Sequence, residues 1–306
     1  MRSIISIHSY KKFNKKDICI LTNLSGLDIM CAVMQLSSEV IDLSVRFLVL
    51  LLISIFTYRK KYLDGKGVFA AFIIGVLIIY TGGWVFFILL FIFMIVGSIL
   101  TKIVRKKSVD WVSYFNSNGL RSWKNVLANG FWPMYSAIIY SIYPDTHKMY
   151  AMFFFLGSLT SMMSDTVSTE VGMYLGGAPV LITNPKVHVP KGFSGGVTLI
   201  GLLGGLMSAI LFSYLSAILF GLSSIYDVYT LILAGFIGSI IDSILGATVQ
   251  AKYRCKLCGS VIETRYHCGE EAELVKGFEP IDNHVVNFIS SLAGGVLAVI
   301  FYSLLH

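Results

Sequence analysis

The sequence predicts an all-α fold, a polytopic membrane bundle of about eight transmembrane helices. Of its 306 residues, 56% are hydrophobic and only 13% are charged, and the mean hydropathy is +0.76. So few charged side chains cannot cover the surface of a soluble protein of this size. Eight apolar runs, separated by polar loops, lie at about 43–58, 67–81, 83–101, 126–143, 149–164, 195–220, 228–250 and 285–304.

Each apolar run predicts one helix of a single domain. Because a helix needs roughly 20 residues to cross a membrane, the shorter runs must include some flanking residues. Residues 43–306 are predicted to form one transmembrane domain, within which residues 251–283 form a hydrophilic loop containing Cys and His. Residues 1–42 form a basic N-terminal tail outside this core, and we assign no chemistry to it.

The positive charges are concentrated in alternate loops. The chain has 24 Lys and Arg residues against 17 Asp and Glu residues, which gives a net charge of +7. The first, third, fifth and seventh loops contain most of the basic residues, whereas the even-numbered loops together contain one lysine. By the positive-inside rule, the odd-numbered loops are predicted to face the cytoplasm. The basic excess therefore indicates topology and attraction to lipid headgroups, and no nucleic-acid partner is expected.

A polar stretch between two apolar runs, residues 162–199, contains the first candidate site. Asp165, Ser168 and Thr169 have the i, i+3, i+4 spacing that places side chains on one face of a helix. An ionisable group in a membrane helix usually binds an ion, a substrate or another side chain. Glu170 lies about 140° around the helix from Asp165, so these two carboxylates share an ion only if the helix breaks.

The segment PKGFSGG lies in the same stretch and ends where the next apolar run begins. It combines the cation of Lys191 with Gly192, Ser194, Gly195 and Gly196, whose small side chains leave backbone N–H groups accessible. Amides arranged in this way beside a helix N-terminus can bind a phosphate group. The same composition is equally typical of a flexible turn.

Asp242 is a second carboxylate within an apolar run. Gly246 and Gln250 follow it at i+4 and i+8, so a narrow polar stripe runs toward one end of an otherwise apolar helix. A buried charge needs a partner, which is either a Lys or Arg on a neighbouring helix or a metal ion. The same two interpretations apply to Asp165.

Two further segments offer groups that can bind an anionic substrate. The string RSWKNVLANG supplies Arg121, Lys124 and Asn129, and IDNHVVN supplies Asn283 and Asn287 at the entrance of the last helix. Capping of that helix is the commoner use of Asp and Asn at such positions.

The hydrophilic loop contains a possible zinc site. Cys255, Cys258, His267 and Cys268 have the spacing C-x2-C-x8-H-C. Two cysteines separated by two residues are common ligands in zinc sites. Adjacent His and Cys ligands, in contrast, are difficult to direct at one ion. Structural zinc and plain thiols both remain open, and disulfides are not expected on a cytoplasmic loop.

Several of these motifs together resemble the transmembrane protein 19 family, whose plant members include a chloroplast phytyl-phosphate kinase. The resemblance spans the chain from about Leu43 to the C-terminus. It rests on SDTVSTEVG, P-x-L-I-T, VPKGFSGGVT, RSWKNVLANG and GSIIDSILGATVQ, and on CxxC, HC and DNxxxN between Cys255 and Asn287. Several motifs in one order are more specific than any of them alone.

The resemblance implies CTP-dependent phosphorylation of a prenyl monophosphate, with a distant likeness to dolichol kinases and phosphatidate cytidylyltransferases. Phosphoryl transfer mainly requires alignment and neutralisation of charge. On the matched motifs, Asp165 and Asp242 would hold Mg²⁺ and, with Lys191, form the catalytic group. The remaining motif residues would bind the nucleotide and the lipid phosphate; they are Arg121, Lys124, Asn129, Thr169, Glu170, Gly192, Ser194, Gly195, Gly196, Asn283 and Asn287. The prenyl tail is expected between glycine-lined helices.

Two other classes of function fit the same residues. A transporter or lipid flippase would use the intramembrane acids as an ion relay, and glycine-broken helices suit that function too. A membrane scaffold with a zinc-stapled loop would need no polar motifs within its apolar runs. The sequence does not distinguish CTP from ATP, identify the lipid, or give the oligomeric state.

Overall fold

The computed structural model describes residues 25–107 and 120–306, which form eight α-helices and several short β-strands. The helices are α1 Ser25–Arg59, α2 Gly65–Thr81, α3 Trp84–Lys107, α4 Trp123–Ile142, α5 Asp145–Leu175, α6 Leu199–Phe220, α7 Ile225–Thr248 and α8 Asn283–Leu305. In these residues, five helices are long and apolar enough to cross a membrane: α1 from Leu36, α3, α6, α7 and α8. The predicted helical membrane bundle is confirmed, although α2, α4 and α5 fall outside this group of five.

The first helix begins before the predicted boundary of the core. α1 starts at Ser25, so it includes the second half of the segment that the sequence indicated as a tail. Residues 1–24 of that tail lie outside the described residues. The chain divides into two units within α1, and the second unit, Leu52–His306, contains the other seven described helices and all the described strands.

α5 is the central helix of the second unit. It packs against α3, α4, α6, α7 and α8. Phe153, Phe155, Leu156 and Leu159 are completely buried. These apolar side chains and the small residues beside them anchor the bundle through α5.

Small residues bring α5 into close contact with its neighbours. Gly157 faces the carbonyl oxygen of Gly294 and the side chain of Ala298 on α8 so closely that a Cβ at Gly157 would overlap both. On α6, a Cβ at Gly205 would lie 3.0 Å from the carbonyl oxygen of Ser164. Small residues allow such approach in membrane helices. At Gly157 and Gly205 these interfaces are closed. The expectation that a prenyl tail lies between glycine-lined helices, open to lipid, stays a prediction.

A cavity of about 300 Å³ lies elsewhere, between α4, α5 and α8 near the α4–α5 connection. Its lining is largely aromatic and includes Tyr135, Tyr143, Tyr150 and Phe154. The cavity is at the end of the bundle opposite the odd-numbered loops. Within the described residues, it offers apolar space that the glycine interfaces do not.

Side-chain caps fix the start of four described helices, including α7, where the hydroxyl of Ser224 accepts from the N–H of Tyr226 at 3.3 Å. Asp64 accepts a hydrogen bond from the N–H of Gly67 at 2.6 Å at the start of α2, and the hydroxyl of Thr198 accepts one from Gly201 at 3.0 Å at the start of α6. Asp282 accepts from two N–H groups in the first turn of α8, at 2.9 and 3.0 Å. Capping is therefore the role of Asp282, as is common for this residue type.

Two odd-numbered loops contain small antiparallel sheets that the sequence did not predict. The α5–α6 loop contains β1 Val180–Leu181, β2 Asn184–His188 and β3 Gly196–Val197 in the order β2-β1-β3. The α7–α8 loop forms a folded unit, residues 251–282, which we call the Cys/His module. It contains the sheet β5-β4-β8 and the hairpin β6-β7, whose strands are β4 Lys252–Arg254, β5 Val261–Ile262, β6 Tyr266–His267, β7 Glu270–Glu271 and β8 Glu273–Lys276. Its buried core is small, consisting of Ala251, Tyr253, Ile262 and Ala272.

Candidate functional site

The two predicted acids meet inside the bundle. Asp165 on α5 lies close enough to Asp242 on α7 for their charges to interact. The hydroxyl of Ser290 on α8 donates a hydrogen bond to Asp242 at 2.7 Å. Both acids are only partly buried. Three helices therefore place two carboxylates together, and a divalent cation would remove their mutual repulsion.

The ion-pair alternative for these acids finds no support in the described chain. In residues 25–107 and 120–306, neither Asp165 nor Asp242 forms a salt bridge with Lys, Arg or His. Two carboxylates without a cationic partner are costly in a site of low dielectric. The arrangement favours an ion or substrate as the missing partner.

Glu170 is near enough for its charge to act on Asp165, but it also faces a separate group of cations. α5 is continuous from Asp145 to Leu175, so the break that would bring Glu170 onto the face of Asp165 does not occur. The side chain is only 7% exposed and accepts a hydrogen bond from Thr101 on α3 at 2.5 Å. Its second oxygen is buried and has no hydrogen-bond partner in the described residues, while Arg105 and Arg121 attract it electrostatically.

Arg121 reaches into the bundle from the loop before α4. Its backbone pairs with the α1–α2 connection, because its N–H donates to Tyr62 at 3.1 Å and its carbonyl accepts from Asp64 at 3.2 Å. The guanidinium lies 5.7 Å from the ring of Phe93 and directly against Gly97, where a Cβ would overlap it. Gly97 therefore provides the space that admits this cation.

The other predicted anion-binding residues are more scattered. Lys124 is exposed at the start of α4, and it interacts electrostatically with His284 on α8. The side chain of Asn129 is engaged within α4, where it donates to the carbonyl oxygen of Asn125 at 3.0 Å. Thr169 is exposed, so it does not share the environment of Asp165. Neither Lys124 nor Asn129 contacts the two acids in any described interaction.

The two predicted asparagines lie in different surroundings. Asn283, the first residue of α8, is exposed. Asn287, one turn further, is partly buried, and its carbonyl oxygen accepts from the hydroxyl of Ser290 at 3.1 Å. Asn287 therefore adjoins the residue that holds Asp242.

The glycine segment has the conformation expected of an anion nest, but a carboxylate of the same chain binds to it. Gly192 and Gly195 have positive φ of 81° and 83°. The N–H of Ser194 donates to Glu263 at 2.8 Å, and the Ser194 hydroxyl donates to the other Glu263 oxygen at 2.9 Å. Gly196 donates its N–H to a carbonyl within the segment, that of Phe193. The predicted phosphate binding thus competes with an internal acid at Ser194.

Contacts with two helices also fix this segment. A Cβ at Gly195 would lie 2.5 Å from the Cα of Ala247 near the end of α7, so only glycine fits there. Lys191 donates to the carbonyl oxygen of Met173 in the last turn of α5 at 3.2 Å. A cation at this position stabilises the carbonyl end of the helix. Lys191 therefore holds the segment against α5 in this structure.

Sequence reasoning missed Glu263, Lys252 and Ser290. Glu263 and Lys252 form an ion pair of 2.5 Å in which Lys252 is almost fully buried. No periodicity connects Glu263 with Ser194, which lies 69 residues before it. The sequence pattern could have indicated Ser290, because this residue extends the polar stripe of Asn283 and Asn287 by one further turn of an apolar helix.

The four predicted metal ligands do come together in the Cys/His module. The thiols of Cys255, Cys258 and Cys268 and the imidazole of His267 offer ligand atoms that all lie within 4.8 Å of one another. Among the described residues, this is the one group of three or more His, Cys, Asp or Glu side chains that could hold a metal ion. Asp165 and Asp242 form a pair and not a group of this size.

The comparisons with known proteins agree with a membrane protein. An uncharacterised membrane protein of Methanocaldococcus jannaschii is 29% identical over 263 residues, which cover 86% of this chain and 95% of the relative. Protein PGR of Arabidopsis thaliana is 30% identical over 81% of this chain and 92% of its own length. Protein VTE6, chloroplastic, also of Arabidopsis thaliana, is 27% identical over 78% of this chain and 65% of its own length. No solved structure matches.

The family assignment follows from the extent of the match. Residues 48–295 match the family described as integral membrane protein DUF92. This range contains α2 to α7 completely, with both acids, the glycine segment and the Cys/His module. The resemblance to the transmembrane protein 19 family is confirmed with it, through the relatives PGR and VTE6. The chain is a multi-pass integral membrane protein and belongs to the DUF92 family.

Proposed function

We propose that this protein is a membrane phosphotransferase that uses CTP to convert a prenyl monophosphate to the diphosphate. The observation that carries the proposal is the pairing of Asp165 and Asp242 within the bundle. Glu170 lies about one and a half turns further along α5, and the charges of Arg121 and Arg105 surround it. Carboxylates for a divalent cation and arginines for phosphates are the groups that phosphoryl transfer requires. The resemblance to the family containing phytyl-phosphate kinase supports the choice of substrate.

The reaction requires little proton chemistry from the protein. A terminal oxygen of the lipid phosphate attacks the γ-phosphorus of CTP, and a new oxygen–phosphorus bond forms. The bond from the γ-phosphorus to the bridging oxygen breaks, and CDP leaves with that electron pair. Because the second pKa of a phosphate monoester is about 6, the attacking oxygen is already ionised near neutral pH. The attacking oxygen therefore needs no general base, and among the described residues no histidine contacts Asp165 or Asp242.

Each group of side chains has a distinct task in this proposal. Asp165 and Asp242 would hold Mg²⁺, which supplies neutralisation of the phosphate oxygens when it is bound. Ser290 fixes the orientation of Asp242 by its hydrogen bond. Arg121 would bind a phosphate through its planar guanidinium, and Glu170 keeps that cation in place until the phosphate arrives.

The test is transfer of labelled phosphate. Purified protein in detergent is incubated with γ-labelled CTP, then with ATP, and with a panel of prenyl monophosphates. We expect prenyl diphosphate from CTP, and we expect Asp165→Asn and Asp242→Asn each to lower turnover by at least about 100-fold. Asp145→Asn is the matched control, because Asp145 is an exposed acid at the far end of the same helix, paired with Lys148.

Three results would refute this function. They are the absence of transfer from either nucleotide, equal activity in the Asn variants, and loss of activity only together with aggregation. The transport alternative predicts a different outcome. The protein reconstituted in vesicles would then move a prenyl phosphate between leaflets without nucleotide, and Asp165→Asn would stop that movement.

A further inference from the structure

The Cys/His module has the ligand set of a closed metal site. The ligand atoms of Cys255, Cys258, His267 and Cys268 lie within 4.8 Å of one another, and the Nδ1 of His267 is 3.5 Å from the sulfur of Cys258 and 3.2 Å from that of Cys268. Three sulfurs and one imidazole nitrogen around one point suit tetrahedral Zn²⁺. Since all four positions are filled by the protein, such an ion would be structural and not catalytic.

The β6–β7 hairpin allows the adjacent residues His267 and Cys268 to direct their side chains at one ion. His267 and Glu270 pair across the β6–β7 hairpin, which leaves Cys268 and Gly269 as a two-residue turn. Both turn residues have positive φ, 53° and 86°. Type I′ hairpin turns require positive φ at both central residues, and residues other than glycine, asparagine or aspartate seldom adopt it. A metal bound to the Cys268 thiol accounts for a cysteine in a conformation that disfavours it.

The other half of the ligand set is held by a tight turn. The N–H of Gly259 donates to the carbonyl of Cys255 at 2.9 Å, and the N–H of Cys255 donates to Ser260 at 3.0 Å. Gly259 has a φ of 73°. The turn places Cys255 and Cys258 on the same side of the chain, facing the hairpin.

Glu263 connects this module to the glycine segment 190–196. It follows β5, between Cys258 and His267 in the sequence. Its carboxylate accepts hydrogen bonds from the N–H and hydroxyl of Ser194 and from the amide of Gln250 at 2.9 Å. It also pairs with Lys252, whose ammonium lies 4.2 Å from the centre of the Phe193 ring. The module thus contacts the segment through three hydrogen bonds, two from Ser194 to Glu263 and one from Lys252 to the Ser194 carbonyl oxygen at 3.4 Å, and through one cation–π contact.

We propose that the four ligands bind one Zn²⁺, and that this metal holds Glu263 in position to fix the glycine segment. Without the metal, the strand before Glu263 would be weakly held within the module, because β5 pairs with β4 through two residue pairs only and the module core contains four residues. So small a sheet is not stable alone, and small domains commonly rely on a metal. The inference is independent of the proposed function, since neither metal content nor the order of the segment requires turnover.

The first experiment measures the metal. Protein purified in detergent, under reducing conditions and without chelators, is analysed for its metal content. We expect about one zinc per chain, lost in Cys258→Ser but retained in Tyr266→Phe, whose exposed side chain adjoins His267. Zinc near zero, or zinc unchanged in Cys258→Ser, would overturn the site.

The second experiment measures the coupling by hydrogen–deuterium exchange of residues 190–197. Removal of zinc with a chelator should raise exchange at Ser194 by at least about tenfold, because its N–H loses a positioned acceptor. Glu263→Ala should retain one zinc per chain and still raise exchange there, because alanine offers the Ser194 N–H no acceptor. This variant separates the contact with the segment from metal binding. Zinc-free and zinc-loaded protein with equal exchange at Ser194 would overturn the coupling.

Discussion

The buried pair of Lys252 and Glu263 allows a quantitative prediction for Glu263→Gln. The side chain of Lys252 is only 2% exposed, and that of Glu263 is 25% exposed. Burial lowers the pKa of Lys252, and the negative charge of Glu263 opposes this effect. Glutamine preserves the size of the side chain and can still accept from Ser194, but it removes the counter-charge from a buried ammonium group.

The expected cost follows from the burial of the pair. Removing one partner of a buried ion pair typically costs 3–5 kcal/mol, and the partial exposure of Glu263 favours the lower value, about 3 kcal/mol. At about 2.1 cal/mol/K per residue, the unfolding entropy of this 306-residue protein is about 0.64 kcal/mol/K, so about 1 kcal/mol corresponds to roughly 1.6 °C in melting temperature. The melting temperature should therefore fall by roughly 5 °C at pH 7.

The loss should also depend on pH. A lysine whose folded pKa lies below its unfolded pKa binds fewer protons when folded, so stability rises with pH between these two values. Without Glu263, the folded pKa of Lys252 falls further, and the melting temperature of the variant should rise toward that of the unmodified protein between about pH 7 and 10.

The assay is thermal unfolding in detergent, followed by tryptophan fluorescence, at several pH values. Glu271→Gln is the matched control, because Glu271 pairs with Arg265 at 2.6 Å on the exposed surface of the same module. An exposed pair contributes about 0–1 kcal/mol. Adding Lys252→Met to Glu263→Gln should recover part of the loss. If Glu263→Gln destabilises no more than Glu271→Gln, Lys252 is not held by this pair and the reasoning fails.

Two further predictions concern the bundle. Gly157→Ala should lower the free energy of unfolding by about 1–3 kcal/mol by overpacking, whereas Gly65→Ala, with open space at its Cβ position, should be nearly neutral; equal thermal stability of both variants would contradict the close packing. Ser290→Ala should raise the Mg²⁺ concentration needed for phosphoryl transfer by about 10–100-fold, because Asp242 loses its orienting hydrogen bond. Ser303→Ala, at the exposed end of α8, is the control, and an unchanged Mg²⁺ dependence would argue against metal binding by Asp242.

The helices were predictable because hydrophobic length is a local property. The apolar run at 228–250 corresponds to α7, Ile225–Thr248, within a few residues at each end. α5 was predicted too short, at 149–164, because it continues through SDTVSTEVG to Leu175. A membrane helix whose end is covered by protein loops can contain polar residues there, and hydropathy alone then misplaces its end.

The site was predictable in part. Asp165 and Asp242 were selected as costly charges in apolar runs, and the structure brings them together. The strands β1 to β8 were missed because most contain only two or three residues, too few to show an alternating pattern. Glu263 was missed because its role depends on the tertiary contact with Ser194 and on nothing in its neighbouring sequence.

The position of Asp242 along α7 sets its depth in the bilayer. α7 has 24 residues, so it is about 36 Å long, while the hydrocarbon core is about 30 Å thick. Asp242 precedes the end of α7 at Thr248 by one and two-thirds turns, about 9 Å along the axis. For a helix centred in the membrane, this carboxylate lies only about 6 Å below the headgroup boundary. If the proposed function is correct, a lipid phosphate would reach this carboxylate by lateral diffusion with its hydrocarbon chain still in the bilayer, and the nucleotide would arrive from the loop side.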